Sequence, residues 1–501
     1  MNPSKKIVLS TAVGIALLLA ACSASQSVSP LESTSVPVPI ASTSTPTARL
    51  TAAPTSVTAT PTGAPSSTPT DEPTTAPTGT LTPTPTITVT PTRLNSVELS
   101  ACATIWEPGY YKLIANIKTP EYDCIYVQSH NVVFDCDNHT IEGNGFNGYA
   151  VFVRKWGFPF QETPTNVEIK NCRVSRHRNG IFVNGANNVY IHHNDLSNNR
   201  DTVDRQRFGI FLGMTEGGGL RLDGVSGGRV EFNTTNAQAI GIDIRDSDRI
   251  SVRNNTTNGN SAWGISLLNT SNSQVSNNVA RDNIRYCAWG DGTVGRGCDA
   301  GGIILQDGAS NNVISENTIT GENGNGVFIK AHGVRCGNNN VIQGNKIIDA
   351  IYNAIEFSFC RGNRVIGNEL SGSYDAVWFG FSANTEIRGN VIRDMRNHGI
   401  ISYNSQNSIV ADNQIVNSRE GIYFYWDKWN PKEFYFLTPT TDNFASRDNS
   451  ILDNLLRDNA VAGIRLTNSI QNRVSGNRFE NNGRNLWLEG RTEGTTISNA
   501  P

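Results

Sequence analysis

Apolar and polar positions alternate in short runs along most of this chain, and the runs recur with a fixed period. In GIILQDGASNNVISENTITGENGN, Gly302 to Asn325, a G-Φ-x-Φ run (Gly302, Ile303, Leu305) leads to a second run that ends Ile314-x-x-Asn317 and to a third at Thr318-Ile319. The unit restarts at Gly326, twenty-four residues on, and closes again with Ile342-x-x-Asn345. The G-Φ-x-Φ start recurs at Gly180, Gly209, Gly241, Gly264, Gly399, Gly421 and Gly463, with Ala354 and Ala376 in the glycine's place in two further units. The apolar-x-x-Asn ending recurs from Asn194 through Asn255, Asn278, Asn368, Asn390 and Asn413 to Asn477. A period in the low twenties with two-residue alternation inside it marks a solenoid. The runs are too short, and too often broken by Gly and Asn, for helical repeats.

The pattern therefore predicts an all-β chain, a single-stranded right-handed parallel β-helix of about a dozen coils. The handedness follows from the rule for parallel crossovers. Asn is expected to take the left-handed turn geometry and to bond through its amide to the same group on neighbouring coils.

Composition changes the picture at the N-terminus. Lys5 and Lys6 precede an apolar run, Ile7 to Ala21, and small residues lead to Cys22. Residues 1–22 read as a secretory signal, and Leu19-Ala20-Ala21-Cys22 resembles a bacterial lipobox in which Cys22 is lipidated. Residues 23–95 are mostly Thr, Pro, Ser and Ala and cannot bury a core. They read as an extended, disordered stalk that suits O-glycosylation. Residues 96–148 read as an N-terminal cap and first coil, and 149–495 as the β-helix. The expected location is exported, anchored to a membrane by lipid only, on the cell surface or extracellular side.

Eight cysteines besides Cys22 form an even set, which in an exported protein points to disulfides. Cys336 and Cys360 each lie six residues before the same ladder position, Ile342 and Ile366, and should stack on adjacent coils. The coil spacing of ~4.8 Å lies within the Cα separation a disulfide accepts. Cys172 takes the Asn position of its coil and Cys136 matches it through Val133-x-x-Cys136. Cys287 and Cys298 flank a step inside an inserted loop, and Cys102 and Cys124 remain as the last pair.

The strings PGYYKL, CIYV, NVVFDCDNHTI and NCRV, followed by the repeats, resemble the pectin-lyase-like superfamily of right-handed β-helices. Within it the likeness is to NosD-type and carbohydrate-binding or sugar-hydrolase repeat proteins, over roughly residues 96–495. The resemblance implies the fold; for activity it implies polysaccharide lyases, glycosidases, epimerases, surface binders or accessory proteins alike. The paired aspartates of polygalacturonases, the Asp-Pro-His of mannuronan epimerases and the calcium cluster of pectate lyases are not recognisable here.

In a G-Φ-x-Φ-x strand the x positions point outward. The first outward column runs Phe182, Phe211, Asp243, Ser266, Ile304, Phe328, Glu356, Trp378, Ile401, Tyr423, Arg465; the second includes Gly213, Lys330, Tyr403 and Tyr425. Aromatic rings mixed with charges suit a polysaccharide, since rings stack on pyranose faces. Asp307, Trp378, Tyr403, Tyr423, Tyr425, Trp426 and Trp429 are the expected substrate contacts. The last two open a loop from Trp426 to Asp448, and residues 421–447 carry nine aromatics against 8% aromatics for the whole chain. Long loops on a regular scaffold tend to be functional.

Lys330, His332 and Glu356 are the expected catalytic group. A lyase acting on uronic acids needs a base near C5 and a cation at the carboxylate. Asp307 and Glu356, two coils or ~10 Å apart, are a marginal hydrolytic pair. The expected function is thus binding of polysaccharide, with a lyase favoured over a hydrolase. A non-catalytic surface binder, scaffold or NosD-like accessory is the alternative. No cofactor is indicated; calcium, with Glu356 as a ligand, stays open. His192-His193 reads as an isolated solvated pair. A net charge of −3 without a basic stripe excludes nucleic acid as a partner, and a monomer is expected.

Overall fold

Each coil is built from three short strands, because the apolar positions come in three short runs separated by residues that turn. In the coil that starts at Gly301 the strands are Gly301–Gln306, Val313–Ser315 and Thr318–Thr320, after which Asn325–Lys330 begins the next. The computed structural model describes residues 96–498 apart from 120–121, 158, 160, 200–216, 285, 289–293, 297–299, 323, 331–335 and 427–444. The described residues belong to one unit, Pro91–Pro501. They contain no helix.

Strands of the same type pair in parallel from coil to coil, giving a front sheet of fifteen strands and a second sheet of sixteen. A third face carries one sheet of nine strands and one of three. This is the right-handed parallel β-helix that the periodicity predicts. The front sheet has more strands than the expected dozen coils because its first strands lack the marking glycine. Ala103–Ile105, Ile125–Val127 and Tyr149–Arg154 enter the same sheet ahead of Asn179–Asn184.

The core is a set of stacked columns. Ile303, Val327, Ile355 and Val377 are register partners on successive coils, and all are fully buried. Ile314, Ile342 and Val365 stack likewise from the second sheet. At Gly326, where a front strand begins, there is no room for a side chain. A Cβ on Gly326 would stand 2.4 Å from Ile347 Cγ2 and 2.6 Å from the Ala354 carbonyl oxygen.

The expected asparagine ladder is present and continuous. The side-chain oxygen of Asn233 accepts from the Asn194 amide, Asn255 from Asn233 and Asn278 from Asn255, and so on to Asn477, with N···O distances of 2.9–3.0 Å. One detail differs from expectation. The ladder asparagines do not take the left-handed conformation; the residue before each one does, as at Asn254, Asn277, Glu316, Asp412 and Asp453. That kink turns the next side chain inward, so the two tasks fall to neighbouring residues.

Cysteines extend this ladder toward the N-terminus. Asn194 Oδ1 accepts from the Cys172 N–H, and Cys172 is bonded to Cys136 at the equivalent place one coil earlier (Cα–Cα 4.7 Å). Cys336–Cys360 pairs as the coil register predicts, with Cα atoms 5.2 Å apart, and the remaining pair Cys102–Cys124 is bonded with Cα atoms 4.5 Å apart. In the inserted loop the antiparallel strands Tyr286–Ala288 and Val294–Arg296 set Cys287 opposite Gly295. Cys298 and Cys22 lie outside the described residues.

A second amide ladder ends on an acid. Asn260 accepts from Gln238, and Asn283 from Asn260. Glu322, 1% exposed, then accepts from both the backbone N–H and the amide of Asn283 at 3.1 and 3.0 Å. Burial raises its carboxyl well above the usual range. The folded state therefore holds a proton that the unfolded chain releases above about pH 4.3, so stability falls as pH rises through the window up to the raised folded value. Glu322→Gln keeps the acceptor and removes the titration. We expect the variant to match the parent near about pH 4 and to exceed it by on the order of 1 kcal/mol or more near about pH 8. Denaturant unfolding at the two pH values checks this, and a pH-independent difference would refute it.

Candidate functional site

The outward column of the front sheet is set by strand register. Phe182 pairs with Arg221, Arg221 with Asp243, and the column continues through Ser266, Ile304, Phe328, Glu356, Trp378, Ile401 and Tyr423 to Arg465 and Trp487. Arg221 and Asp223 stand where the sequence pattern placed Phe211 and Gly213. The strand of that coil is Gly218–Asp223, because Gly219-Leu220-Arg221-Leu222 repeats the pattern of Gly209. Phe211 and Gly213 lie outside the described residues.

This column is not uniformly open. Phe182, Asp243, Ser266, Ile304, Phe328 and Ile401 point outward yet are buried. Ile304 and Phe328 join Trp263 and Ile240 in a small apolar cluster separate from the main core. Glu356, Trp378, Tyr423 and Arg465 are half-buried. The accessible positions of the column are thus Phe152 and Arg221 near its N-terminal end and, after the buried stretch, Glu356, Trp378, Tyr423 and Arg465.

Beside it runs a ladder of rings. Phe359 and Phe381 stack at 4.8 Å, Phe381 meets Tyr403 edge-on at 5.0 Å, Tyr403 stacks on Tyr425 at 4.5 Å and Tyr425 on Tyr423 at 4.9 Å. Phe359 and Phe381 hold φ of 62° and 49°. Asp246, Asn269, Asp307 and Asn404 take the same left-handed turn directly after the front strands of other coils, so the backbone of the repeat sets where these rings stand. On the opposite rim Tyr352 and Tyr374 are 40% and 46% exposed on adjacent coils. Spacing near one strand repeat follows directly from the coil and matches rings to successive positions along a ligand.

The column just before each glycine carries a polar chain that the outward-position reading missed. Asp375, His398 and Glu420 occupy it on three consecutive coils, at 4%, 6% and 0% exposure. Asp375 Oδ1 lies 2.8 Å from His398 Nδ1 and accepts from the His398 backbone N–H at 2.9 Å. Glu420 Oε2 is 3.9 Å from His398 Nε2, and Glu420 Oε1 accepts from Arg465 at 3.1 Å. Arg465 also donates to Glu489 at 2.7 Å and lies over the Tyr423 ring at 4.7 Å. Tyr423 stacks on His398 at 5.6 Å, and burial raises its phenol above the ordinary value. The signal was in the sequence: Asp, His and Glu recur immediately before the Ala or Gly of three successive repeats.

The expected catalytic residues are placed as follows. Lys330 ends the strand Asn325–Lys330, and Glu356 stands on the adjacent strand Asn353–Ser358, opposite Phe328. Both are half-buried, and Glu356 accepts from the Asn353 amide at 2.7 Å. Asp307 follows the strand Gly301–Gln306 in the left-handed conformation, φ 49°. His332 and Trp429 lie outside the described residues; Trp426 is half-buried, with Arg491 over its ring at 5.6 Å. Among the described residues no group of three or more His, Cys, Asp and Glu converges as a metal site.

The pair His192-His193 is not isolated. His192 Nε2 is 3.2 Å from Glu168, its ring stacks on Tyr190 at 3.9 Å, and His193 stacks on Phe232 at 5.0 Å. Hydrogen bonds from His192 and Lys170 lower Glu168 to about 2. These residues form a charge lattice on the second sheet, away from the rings of the front sheet.

No curated protein matches the chain in sequence. Solved structures with a similar chain path include the A-module of mannuronan C-5 epimerase AlgE6 from Azotobacter vinelandii. It has 15% identity, 81% of this chain and 91% of that chain covered, and a TM-score of 0.42. The surface adhesin PfbA of Streptococcus pneumoniae has 12% identity, coverage of 72% and 85%, and a TM-score of 0.46. The Dettilon tailspike protein has 14% identity, coverage of 63% and 62%, and a TM-score of 0.44. No residue role is carried over from any of them. The family described as right handed beta helix region matches residues 111–280, 215–373 and 332–500, and with its parallel sheets and stacked coils the chain belongs to that family.

Proposed function

We propose that this protein binds a polysaccharide along the C-terminal half of the front sheet and cleaves uronic-acid-containing chains there as a lyase. The observation that carries the reading is the ring ladder from Phe359 to Tyr423. Arg396, Arg419 and Arg484 add charge along the opposite rim, where Arg396 lies over the Tyr374 ring: all three are exposed and none forms an ion pair with a described carboxylate. Guanidinium groups so placed favour an anionic chain. Lys330 is the base that takes the C5 proton, and Glu356 positions it. The C5–H electron pair then forms the C4–C5 double bond as the bond from C4 to the glycosidic oxygen breaks, and that oxygen leaves with its electron pair and takes up a proton from water.

The test is a screen of acidic and neutral polysaccharides. Absorbance near 235 nm reports the unsaturated product and reducing ends report hydrolysis. Binding with a rise in absorbance is the expected result. Binding without either product would favour the second reading, a non-catalytic surface binder, and an absence of binding would refute both.

The same proposal places the protein outside the cell, held by lipid at Cys22 and carried on the stalk of residues 23–95. Three disulfides support an oxidising compartment. The mass of the mature N-terminal peptide decides this, since an unmodified Cys22 thiol would rule out the anchor.

A further inference from the structure

The front strands of the C-terminal half end on the ring ladder and begin on a rim of different chemistry. Phe359 and Phe381 follow the strands Asn353–Ser358 and Asp375–Gly380, while Tyr352 and Tyr374 precede them. Farther along, Arg396 and Arg419 lie ahead of His398–Tyr403 and Glu420–Tyr425, and Arg484 lies ahead of Leu486–Glu489. Two exposed tyrosine rings are thus succeeded on later coils by three exposed guanidinium groups. Arg396 donates to the carbonyls of Ala350 and Ile351 and lies 6.0 Å over Tyr374. Arg419 donates to Asn397 Oδ1 at 3.1 Å, and Arg484 lies 4.5 Å over Trp487. Neutral groups hold these side chains in place without cancelling their charge. The distance between the two rims decides how many chains they hold. A front strand of six residues, at ~3.3 Å per residue, sets the rims ~20 Å apart. Lys330 ends its strand and so stands on the ladder side. Even Trp378, in mid-sheet, is four residues from Tyr374, or ~13 Å by the same rise. Arg396 does not close that gap, because the Ala350 and Ile351 carbonyls anchor it on the rim. One sugar chain therefore does not lie on the ladder and on the arginines at once.

We propose that the rim from Tyr352 to Arg484 is a second binding track, which holds a uronate-bearing glycan alongside the one on the ring ladder. The proposal rests on the reading that the front sheet binds polysaccharide. The track runs for five strand steps of the front sheet, from Asn353–Ser358 to Leu486–Glu489, ~24 Å at the strand spacing and long enough for several sugar units. Tyr352 and Tyr374 offer stacking faces, and the guanidinium groups beyond them match carboxylates in shape and charge. The ladder side supplies rings and the proposed base; this side supplies charge and no base. Two tracks on one rod make the protein bivalent for anionic glycan, so that it cross-links chains.

The experiment is calorimetric titration of the full chain with short oligogalacturonate and oligomannuronate, in the Lys330→Ala background so that turnover does not consume the ligand. Two binding events per chain are expected. Arg396→Ala combined with Arg419→Glu should remove one event and leave the other, and Tyr425→Ala should do the reverse. The event on the arginine rim should weaken steeply as salt rises, because exposed charges carry it. Long polyuronate should scatter light when mixed with the protein, and either set of changes should abolish that cross-linking. Thermal melts identify a variant that has lost its fold, and Arg419→Glu alone stands in if the double variant does. A single event weakened by both sets of changes would show one chain reaching both rims and overturn this inference alone. So would a single event that the arginine changes leave untouched. Equally tight binding of single-stranded DNA or polyphosphate would show a patch for any polyanion and also overturn it. No binding of either uronate would overturn the proposed function with it.

Discussion

Asn345→Ala should lower the stability of the β-helix by about 3–5 kcal/mol, among the largest effects any single side chain here will show. Asn345 is fully buried in the middle of the ladder. Its oxygen accepts from the backbone and amide of Asn317 at 3.0 and 2.9 Å. Its amide donates to the carbonyls of Ile314 and Gln343 and to Asn368 at 2.9–3.1 Å. Alanine removes the side chain and takes away the partner of two donors of Asn317 and of the Ile314 carbonyl, all of them buried. Leaving a buried polar group unpaired costs roughly 1–3 kcal/mol each. The control is Asn407→Ala, whose exposed amide bonds to Asn384 on the surface and whose φ of 50° alone makes alanine cost about 1 kcal/mol, well short of the loss at Asn345. Denaturant unfolding of both variants checks the pair; equal losses would show that the inner ladder is ornamental.

The second large effect is expected in chemistry. Under the proposed lyase reading, Lys330→Ala should reduce turnover by about 10²–10⁴-fold, the usual worth of a positioned base. Binding should stay largely intact, because a base acts on the transition state and contributes little to general affinity. The aromatic variants should behave in the opposite way. Tyr423 lies between His398, Tyr425 and Arg465, and Trp378 is the half-exposed ring between Glu356 and Ile401. Trp378→Ala and Tyr423→Ala should each weaken binding by about 1 kcal/mol or more through lost stacking. Unchanged affinity in both would move the site off this face. Undiminished turnover in Lys330→Ala would assign the base elsewhere, and Asp375–His398 is the next pair to test.

The inner architecture was legible because it is repeated. Period-two alternation, the glycine or alanine start and the apolar-x-x-Asn ending recur from coil to coil, so local pattern and global fold agree through most of the chain. The same register paired Cys336 with Cys360 and Cys136 with Cys172, since equivalent positions on neighbouring coils are one strand spacing apart. The N-terminal coils were harder to count: Ile125–Val127 and Tyr149–Arg154 carry no glycine at the expected place and join the sheet all the same.

What the sequence by itself determined is the direction of each side chain within its strand, because alternation is a property of the backbone. It could not tell which outward positions meet solvent. Ile304 and Phe328 point away from the core and are buried, while Trp378 and Tyr423 in the same column are half-exposed. Exposure depends on what lies over the sheet, and that is not encoded in the repeat. Nor did the pattern reveal that Asp375, His398, Glu420 and Arg465 act on one another. These residues are spread over 91 positions of sequence, and only the stacking of coils brings them within hydrogen-bonding and ring-contact distance. The fold follows from what each repeat shares; the site follows from where neighbouring repeats differ, and tertiary stacking decides which differences meet.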